Sequence, residues 1–440
     1  MFHDVVSLKS EVPINVVNLL VPSQYPIAQF VRIGYDHRQR DELLAAGRFP
    51  VDRVVVRAAL VPQQGDLLAA LRAAHRETVL DTGVIDLVHP WRYKTNASNV
   101  PWAAEGRPLK RSDITRRDFA HSIARFVIEH EFDAVLSPTH YLENVTDGRF
   151  DANVIACERL RDALDREGGP EIPIDYHLSI AHTALRDPTQ RAYVIQRLAN
   201  IPAQHLWLHV SPFGINSSAA VVRRFIETAY DFLTLKTPII VDGVAGLPAL
   251  ALLAFGAAGG IAHGVTQHER FTAPSRSEPK RQNGRGGSQA VRALVPALDW
   301  QLSRPEYDLV VAAPGGRRAI ACADRSCCPR GVDDTWDKPK AHYLRQRRLP
   351  LENLANIPNL RRAEHFLNFD LAQIERKARE IGRLKITDEQ LKAKIDERVK
   401  RIEKFYGVFT DLQESGMLVE RSRAPLPRIS APIGIQRRRK

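Results

Sequence analysis

Thr237-Pro-Ile-Ile-Val-Asp242-Gly-Val-Ala-Gly246, then the apolar run Leu247 to Phe255, then Gly259-Gly-Ile-Ala-His263-Gly-Val265, is the stretch that decides the fold. It reads as a buried strand ending on Asp242, a glycine-bearing turn, a short apolar helix and a second buried strand ending on His263. Parallel strands need a crossover connection of this kind. In such sheets the chemistry collects at the carboxyl ends of the strands. Asp242 and His263 therefore fall where a reacting group belongs.

The same strand-then-helix pattern runs upstream. Thr78 to Val88 is apolar and β-branched, interrupted by Asp81-Thr82-Gly83. A helix is predicted over 112–131 with Ser112 as its N-cap, then a strand over 133–136 ending on Ser137-Pro138-Thr139-His140. A helix over 152–166, a strand over 174–180 ending near His182, and a helix over 188–199 follow. A strand over 205–210 ends on Ser211-Pro212-Phe213-Gly214, and a helix over 218–235 leads to the strand of Asp242. These spacings predict an α/β fold, a (β/α)8 TIM-like barrel. An open doubly wound sheet is the runner-up, without a glycine-rich phosphate fingerprint after an early strand.

The domain reading is as follows. Residues 1–75 form an N-terminal segment joining the barrel, 76–270 the barrel core, and 271–290 a flexible loop rich in Ser, Pro, Gly and Arg. Residues 291–370 form a cysteine/histidine subdomain, 371–420 a helical extension with Leu and Ile at helical spacing, and 421–440 a disordered basic tail.

With 440 residues of which 44% are hydrophobic, the chain can bury a sizeable core. Its net charge of +12 favours an anionic partner, for which nucleic acid is the usual candidate. The basic tail is the blander source of that charge. Met1-Phe-His-Asp4 does not resemble a signal peptide, and the apolar run over 247–262 is too short and glycine-rich to span a membrane. A cytoplasmic protein without a membrane partner is expected. Three of the four cysteines fall within Cys322 to Cys328, which suits a metal site in a reducing compartment better than disulfides.

Cys322, Cys327 and Cys328, followed by His342 and His365, supply the thiolates and imidazoles that structural zinc prefers. Either histidine can complete the set, and a buried hydrophobic role for one or two of the cysteines is the plainer alternative. His89, His140, His182, His209 and His263 each lie near a strand end. With Ser137, Ser211 and Gly243 they are candidates to line a substrate pocket, or to hold a metal ion. Asp81 and Asp242 carry the strongest chemistry. One carboxylate can attack an anomeric carbon while another moves protons, although Asp-Gly and Asp-x-Gly are also ordinary turn sequences.

Three motifs together resemble the tRNA-guanine transglycosylase superfamily, and most closely its DNA-modifying branch, which installs 7-deazaguanine bases. Val79-Leu-Asp81-Thr-Gly83 resembles the family's early strand with Asp-Ser-Gly. Gly243-Val-Ala-Gly-Leu-Pro248 resembles its Gly-Val-Gly-x-Pro turn and helix. The cysteine cluster followed by Lys340-Ala-His-Tyr-Leu344 resembles its zinc cysteines and the Arg-Ala-Tyr-Leu stretch after them. The match spans roughly 75–370. The family's nucleophilic aspartate belongs on the final strand, where this chain has His263, so Asp242 is the nearest substitute. Ser211-Pro-Phe-Gly214 stands where the family has a glycine-rich base-binding loop.

The resemblance implies an enzyme that exchanges guanine in nucleic acid, DNA ahead of tRNA, for a base such as 7-cyano-7-deazaguanine. Asp242 would form a covalent sugar intermediate, Asp81 would manage protons, and zinc would be structural. His263 is the substitute if Asp242 is not the nucleophile. Lys280-Arg281 and the C-terminal arginines would hold phosphates. A homodimer or a partner protein is left open. The competing readings are a metal-dependent hydrolase using His89, His140, His182, His209 and Asp242, and an inactive nucleic-acid-binding barrel.

Overall fold

The computed structural model describes residues 27–34, 42–45, 47, 49–96, 100–265, 268–273, 291–416, 421–425 and 428. Its strands, in chain order, are β1 Ala28–Ile33, β2 Arg53–Arg57, β3 Glu77–Asp81, β4 Ala134–Leu136, β5 Ile174–Ala181 and β6 His205–Ser211. They continue with β7 Phe213–Gly214, β8 Ile239–Asp242, β9 Gly260–Gly264, β10 Arg270–Phe271, β11 Arg292–Val295 and β12 Trp300–Ser303. Eight of them close a barrel in the order β1-β2-β3-β4-β5-β6-β8-β9, and every pairing in it is parallel. With helices between the strands this is the (β/α)8 barrel.

The barrel begins earlier than residue 76. β1 and β2 come from the segment assigned as joining it, and β1 closes the ring against β9. Their burial explains their brevity as sequence signals: Arg53-Val-Val-Val-Arg57 has apolar residues on both faces and gives no alternation. The helix expected over 112–131 is split into a short turn, Arg111–Ile114, and the amphipathic helix Arg117–Glu129, so Ser112 is not its cap. Ser218 does cap its helix, accepting from the Val221 N–H.

Successive side chains of a strand face opposite ways, and the barrel interior uses this to sort chemistry by depth. The middle of the interior is apolar: Ala28, Phe30, Val55, Val79, Ala134, Leu136, Trp207, Ile240 and Ala262 form a cluster of their own, separate from the core under the helices. Phe30 meets Trp207 edge to face at 4.8 Å between ring centres. On β3 and β6 the interior residues two before this layer are Glu77 and His205, at the amino-terminal floor, and two after it are Asp81 and His209, at the carboxyl-terminal mouth. On β5 the interior residues are polar without such a layer: Asp175 on the floor is followed directly by His177 and then Ser179.

The floor is closed by the far end of the chain. Arg428 reaches Asp175 at 2.5 Å, Glu77 at 3.2 Å and His205 Nδ1 at 2.6 Å, while Arg53 pairs with Glu77 at 3.3 Å and donates to the Pro425 carbonyl. The Ser422 N–H donates to the Gly256 carbonyl, and its hydroxyl accepts from the Ile239 N–H. Residues 421–425 and 428 are thus packed, which corrects the expectation of a disordered tail for this part. The remainder of 417–440 lies outside the described residues, as do residues 274–290, including Lys280-Arg281. No helix among the described residues is long and apolar enough to cross a membrane.

After the barrel, β11 and β12 form a hairpin, followed by the cysteine-bearing loops and helix Pro339–Ala355. Helices Ala372–Gly382 and Glu389–Glu414 pack on one another to form the extension.

Removal of one partner from a buried ion pair leaves an uncompensated charge and costs about 3–5 kcal/mol. Asp175 has no exposed side-chain surface, so Arg428→Met should destabilise the protein by about this amount. Urea denaturation measures it. A loss near zero would mean that the floor does not need its plug.

Candidate active site and metal centre

The mouth is organised by Arg32 of β1. Its Nε donates to both oxygens of Asp242 at 2.8 and 3.1 Å, Nη2 donates to Asp242 again, and Nη1 donates to Asp81 at 2.5 Å. One guanidinium fork therefore holds two carboxylates from strands on either side of β1. The other Asp81 oxygen accepts the Gly83 N–H at 2.9 Å, so Asp81 caps its turn and faces the mouth together. Burial pushes the Asp242 carboxyl up, but the charge of Arg32 outweighs it and holds the group at about 2. The same balance holds Asp81 well below the usual carboxylate range. Both are anions at neutral pH.

His177 and His209 complete the interior ring. Their rings stack at 5.2 Å, and His177 Nε2 lies 3.6 Å from Asp242. Burial lowers both imidazoles, His209 to about 3, so both are neutral. Among the described residues, His177 Nε2 and His209 Nδ1 have no hydrogen-bond partner. With Asp242 they form a group whose ligand atoms lie within 4.8 Å of one another.

Phe271 covers this ring, stacked on His209 with 3.5 Å between ring centres. It is carried by β10, which pairs antiparallel with β7. Gly214 permits that pairing: a Cβ there would lie 2.3 Å from Arg270 Cα. Gly243 turns under Phe271 with φ +75°, a conformation that favours glycine.

The expected histidines do not gather at the mouth. His209 is there. His263 is not: on β9 it alternates with inward Ala262, so it points outward and is fully buried against the helical layer. Its Nε2 lies 2.9 Å from Gln29, its Nδ1 lies 2.8 Å from the Gly264 carbonyl, and Tyr343 packs beside it. This corrects its assignment as a catalytic alternative. His182 begins a short helix after β5, and His140 is held by Asn153. His89 belongs to the loop after β3, where its Nδ1 accepts the Trp91 N–H. Ser137 and Ser211 serve the backbone: Ser137 accepts from the His177 N–H at 3.0 Å, and Ser211 from the Ala273 N–H at 2.7 Å.

Arg32 and His177 are the residues that sequence reasoning missed. Asp175-Tyr-His177-Leu-Ser179 and His205-Leu-Trp207-Leu-His209 carry the signal, since polar residues recur at alternate positions inside otherwise apolar strands.

Outside the barrel, Cys322, Cys327, Cys328 and His342 converge, with all four ligand atoms within 4.8 Å of one another. The Cys327 and Cys328 sulfurs are 3.6 Å apart, and they lie 3.6 and 3.3 Å from His342 Nδ1. A tetrahedral ion with sulfur at about 2.3 Å separates its thiolates by roughly 3.8 Å, so the donors fit. His342 Nε2 donates to the Leu294 carbonyl at 3.0 Å, which leaves the Nδ1 lone pair toward the thiols. Both adjacent cysteines take part. His365 does not: it stacks on Phe369 and lies 3.9 Å from Asp370, which corrects its inclusion among the ligands.

Helix Pro339–Ala355 ties this centre to the mouth. One residue after His342, Tyr343 donates to Glu269 at 2.7 Å, and Arg347 reaches Glu269 at 2.9 Å and Asp299 at 2.6 Å. Glu269 immediately precedes β10.

No protein-family profile matches the chain, and no curated protein matches it. Solved structures are similar in fold. A type I 3-dehydroquinate dehydratase from Clostridium difficile shares 10% identity over 57% of this chain and 88% of its own, with a TM-score of 0.36. A phosphonomutase, so described provisionally, from Burkholderia cenocepacia shares 17% identity over 55% of this chain and 88% of its own, with a TM-score of 0.34. A Penicillium canescens endo-1,4-beta-xylanase shares 12% identity over 54% of this chain and 82% of its own, with a TM-score of 0.34. These likenesses concern the barrel alone.

Two outcomes follow. Metal analysis of the purified protein should find about one thiophilic ion per chain, and Cys328→Ser should release it and lower the melting temperature, because ligation and folding are linked. A metal-free protein indifferent to a strong chelator would contradict this. The second concerns pH. In the wild type the depressed carboxyls contribute stability above their unfolded values near 4, lost as pH falls through about 2 for Asp242. In Arg32→Gln, burial without the cation raises both carboxyls, so the variant should be destabilised at pH 7.5 and less so at pH 5. An equal deficit at both pH values, read by urea midpoints, would leave Arg32 a packing role only.

Proposed function

We propose that the protein is an enzyme, a transglycosylase that exchanges guanine in nucleic acid, DNA ahead of tRNA, for a 7-deazaguanine base. The observation that carries this reading is the convergence of Asp81 and Asp242 on one guanidinium. Two carboxylates this close can reach the two sides of one sugar–base bond.

Asp242, ionised and freed from Arg32 by substrate, attacks the anomeric carbon. The bond to guanine N9 breaks, its electron pair leaves with the base, and the base takes up a proton from water. Asp81, held ionised, accepts the proton that the incoming base gives up as its nitrogen attacks the same carbon and releases Asp242. The unpartnered nitrogens of His177 and His209 supply hydrogen-bond positions beside the sugar. The target nucleotide has to leave its stack to enter, and the face of His209 now covered by Phe271 suits a flipped base. Zinc at the Cys3His centre is structural in this reading: it holds helix Pro339–Ala355, and so Glu269 and β10, in place.

The group formed by His177, His209 and Asp242 favours a second reading, a metal-dependent hydrolase with an open ion site at the mouth. His89, His140 and His182 take no part in it. Metal content separates the two. A second ion per chain, lost in His177→Asn and His209→Asn, favours the hydrolase.

For the transglycosylase, Asp242→Asn should abolish guanine exchange and the covalent nucleic-acid adduct, and Asp81→Asn should slow exchange by about 10²-fold or more. Trapping on denaturing gels and radiolabelled guanine exchange measure these. An adduct that persists in Asp242→Asn would remove Asp242 as nucleophile.

A further inference from the structure

A cavity of about 550 Å³ opens beside the mouth, between the loops that follow β3 and β4. Sites of this size hold small organic ligands. Ile85, Val88 and Leu109 give it an apolar side, and Lys110, Arg111 and Arg149 give it a cationic rim. Two carboxylates also line it, Glu143 and Asp147, but Asp147 is committed: it accepts the Arg149 N–H at 3.0 Å and pairs with the Arg149 guanidinium at 3.3 Å. That pair offsets one cation as well, and Arg111 Nη1 donates to the Asp147 carbonyl at 2.8 Å; three cations against two carboxylates leave the rim an excess of one positive charge.

Two further groups in the lining have defined chemistry. Asn153 Oδ1 accepts from the His140 backbone N–H, and the Asn153 amide nitrogen donates to Thr139, so the amide is oriented. His140 Nδ1 therefore donates to that oxygen at 2.8 Å, and Nε2 keeps the lone pair. Tyr141 belongs to the cavity and also touches Phe271, the ring that covers His209, at 6.0 Å between centres. The cavity and the reactive carboxylates are thus separated by two aromatic side chains.

We propose that this cavity is a nucleotide subsite, with a phosphate on Lys110, Arg111 and Arg149, the base against Val88 and Leu109, and a base N–H directed to His140. An apolar slot, an oriented acceptor and a cationic rim match the three parts of a nucleotide. Its position beside the mouth, behind Tyr141 and Phe271, fits a nucleotide flanking the one processed there. In that form the proposal rests on the reaction proposed above, and a free nucleotide is the other source of the same chemistry.

The test uses the full chain, a fluorescent 12-nucleotide single strand and free dGMP. Lys110→Gln/Arg149→Gln should weaken binding of the strand about tenfold at moderate salt. It should also reduce the slope of log affinity against log salt by about 1.4, two contacts at roughly 0.7 each. Lys110→Arg/Arg149→Lys should restore both, and unchanged melting curves exclude misfolding. If the cavity serves a strand, dGMP competes poorly. If it serves a free nucleotide, dGMP binds by calorimetry in the wild type and is lost in the glutamine variant. Wild-type affinity of the glutamine variant for both probes, or a wild type that binds neither, overturns the subsite. Strand binding that depends on Lys110 and Arg149, without any adduct at Asp242, would keep the subsite and remove the reaction. An adduct with binding unchanged in the glutamine variant would do the reverse.

Discussion

Every feature of the barrel interior follows from one constraint: along eight parallel strands, side chains alternate between the inside and the helical layer. Residues two apart share the inside and differ only in depth. A strand such as Glu77-Thr-Val79-Leu-Asp81 therefore places an acid on the floor, an apolar residue in the middle and an acid at the mouth. Repeated on β6 as His205, Trp207 and His209, this makes two polar ends separated by an apolar layer that includes Phe30, Val79 and Trp207. Charges at the two ends are kept apart by that layer, so each set must find compensation locally.

Compensation takes the same form at both ends but with different consequences. Arginine is suited to it, since its planar fork can serve two carboxylates at once and stays charged when buried. At the floor two arginines meet two acids and a histidine, and the result is a closed, buried plug. At the mouth Arg32 meets both Asp81 and Asp242, while His177 and His209 remain neutral with nitrogens that have no partner among the described residues. Buried polar atoms without partners carry a desolvation cost, which a ligand able to hydrogen-bond them would relieve. Arg32 holds its carboxylates ionised and occupied at once, so any group that is to reach them must exchange places with a guanidinium.

The fold was legible because the strand-helix rhythm from Thr78 to His263 is regular and its glycine-bearing turns fall at strand ends. β1 and β2 were not, because strands buried on both faces lose the alternation that announces them. Asp81, Asp242 and His209 were legible as strand-end residues. Proximity to a strand end points to His182 and His263, whereas side-chain parity decides: His177 faces inward and His263 outward. The candidate metal-binding group was visible as a cluster of cysteines. The choice between His342 and His365 was not, since it depends on which helix face turns toward the loop. Arg428 lay in a segment whose composition resembles a disordered tail, and only its buried partners on the floor distinguish it.

The plug also bears on the order of assembly. Asp175 is separated from Arg428 by 253 positions along the chain, and Glu77 by 351. During synthesis both acids emerge long before the guanidinium that neutralises them, so a growing barrel has an open, negatively charged base. Contacts of such long range form late because closing the intervening chain is entropically costly. The floor acids are therefore neutralised only once the helical extension has docked and delivered residues 421 to 428.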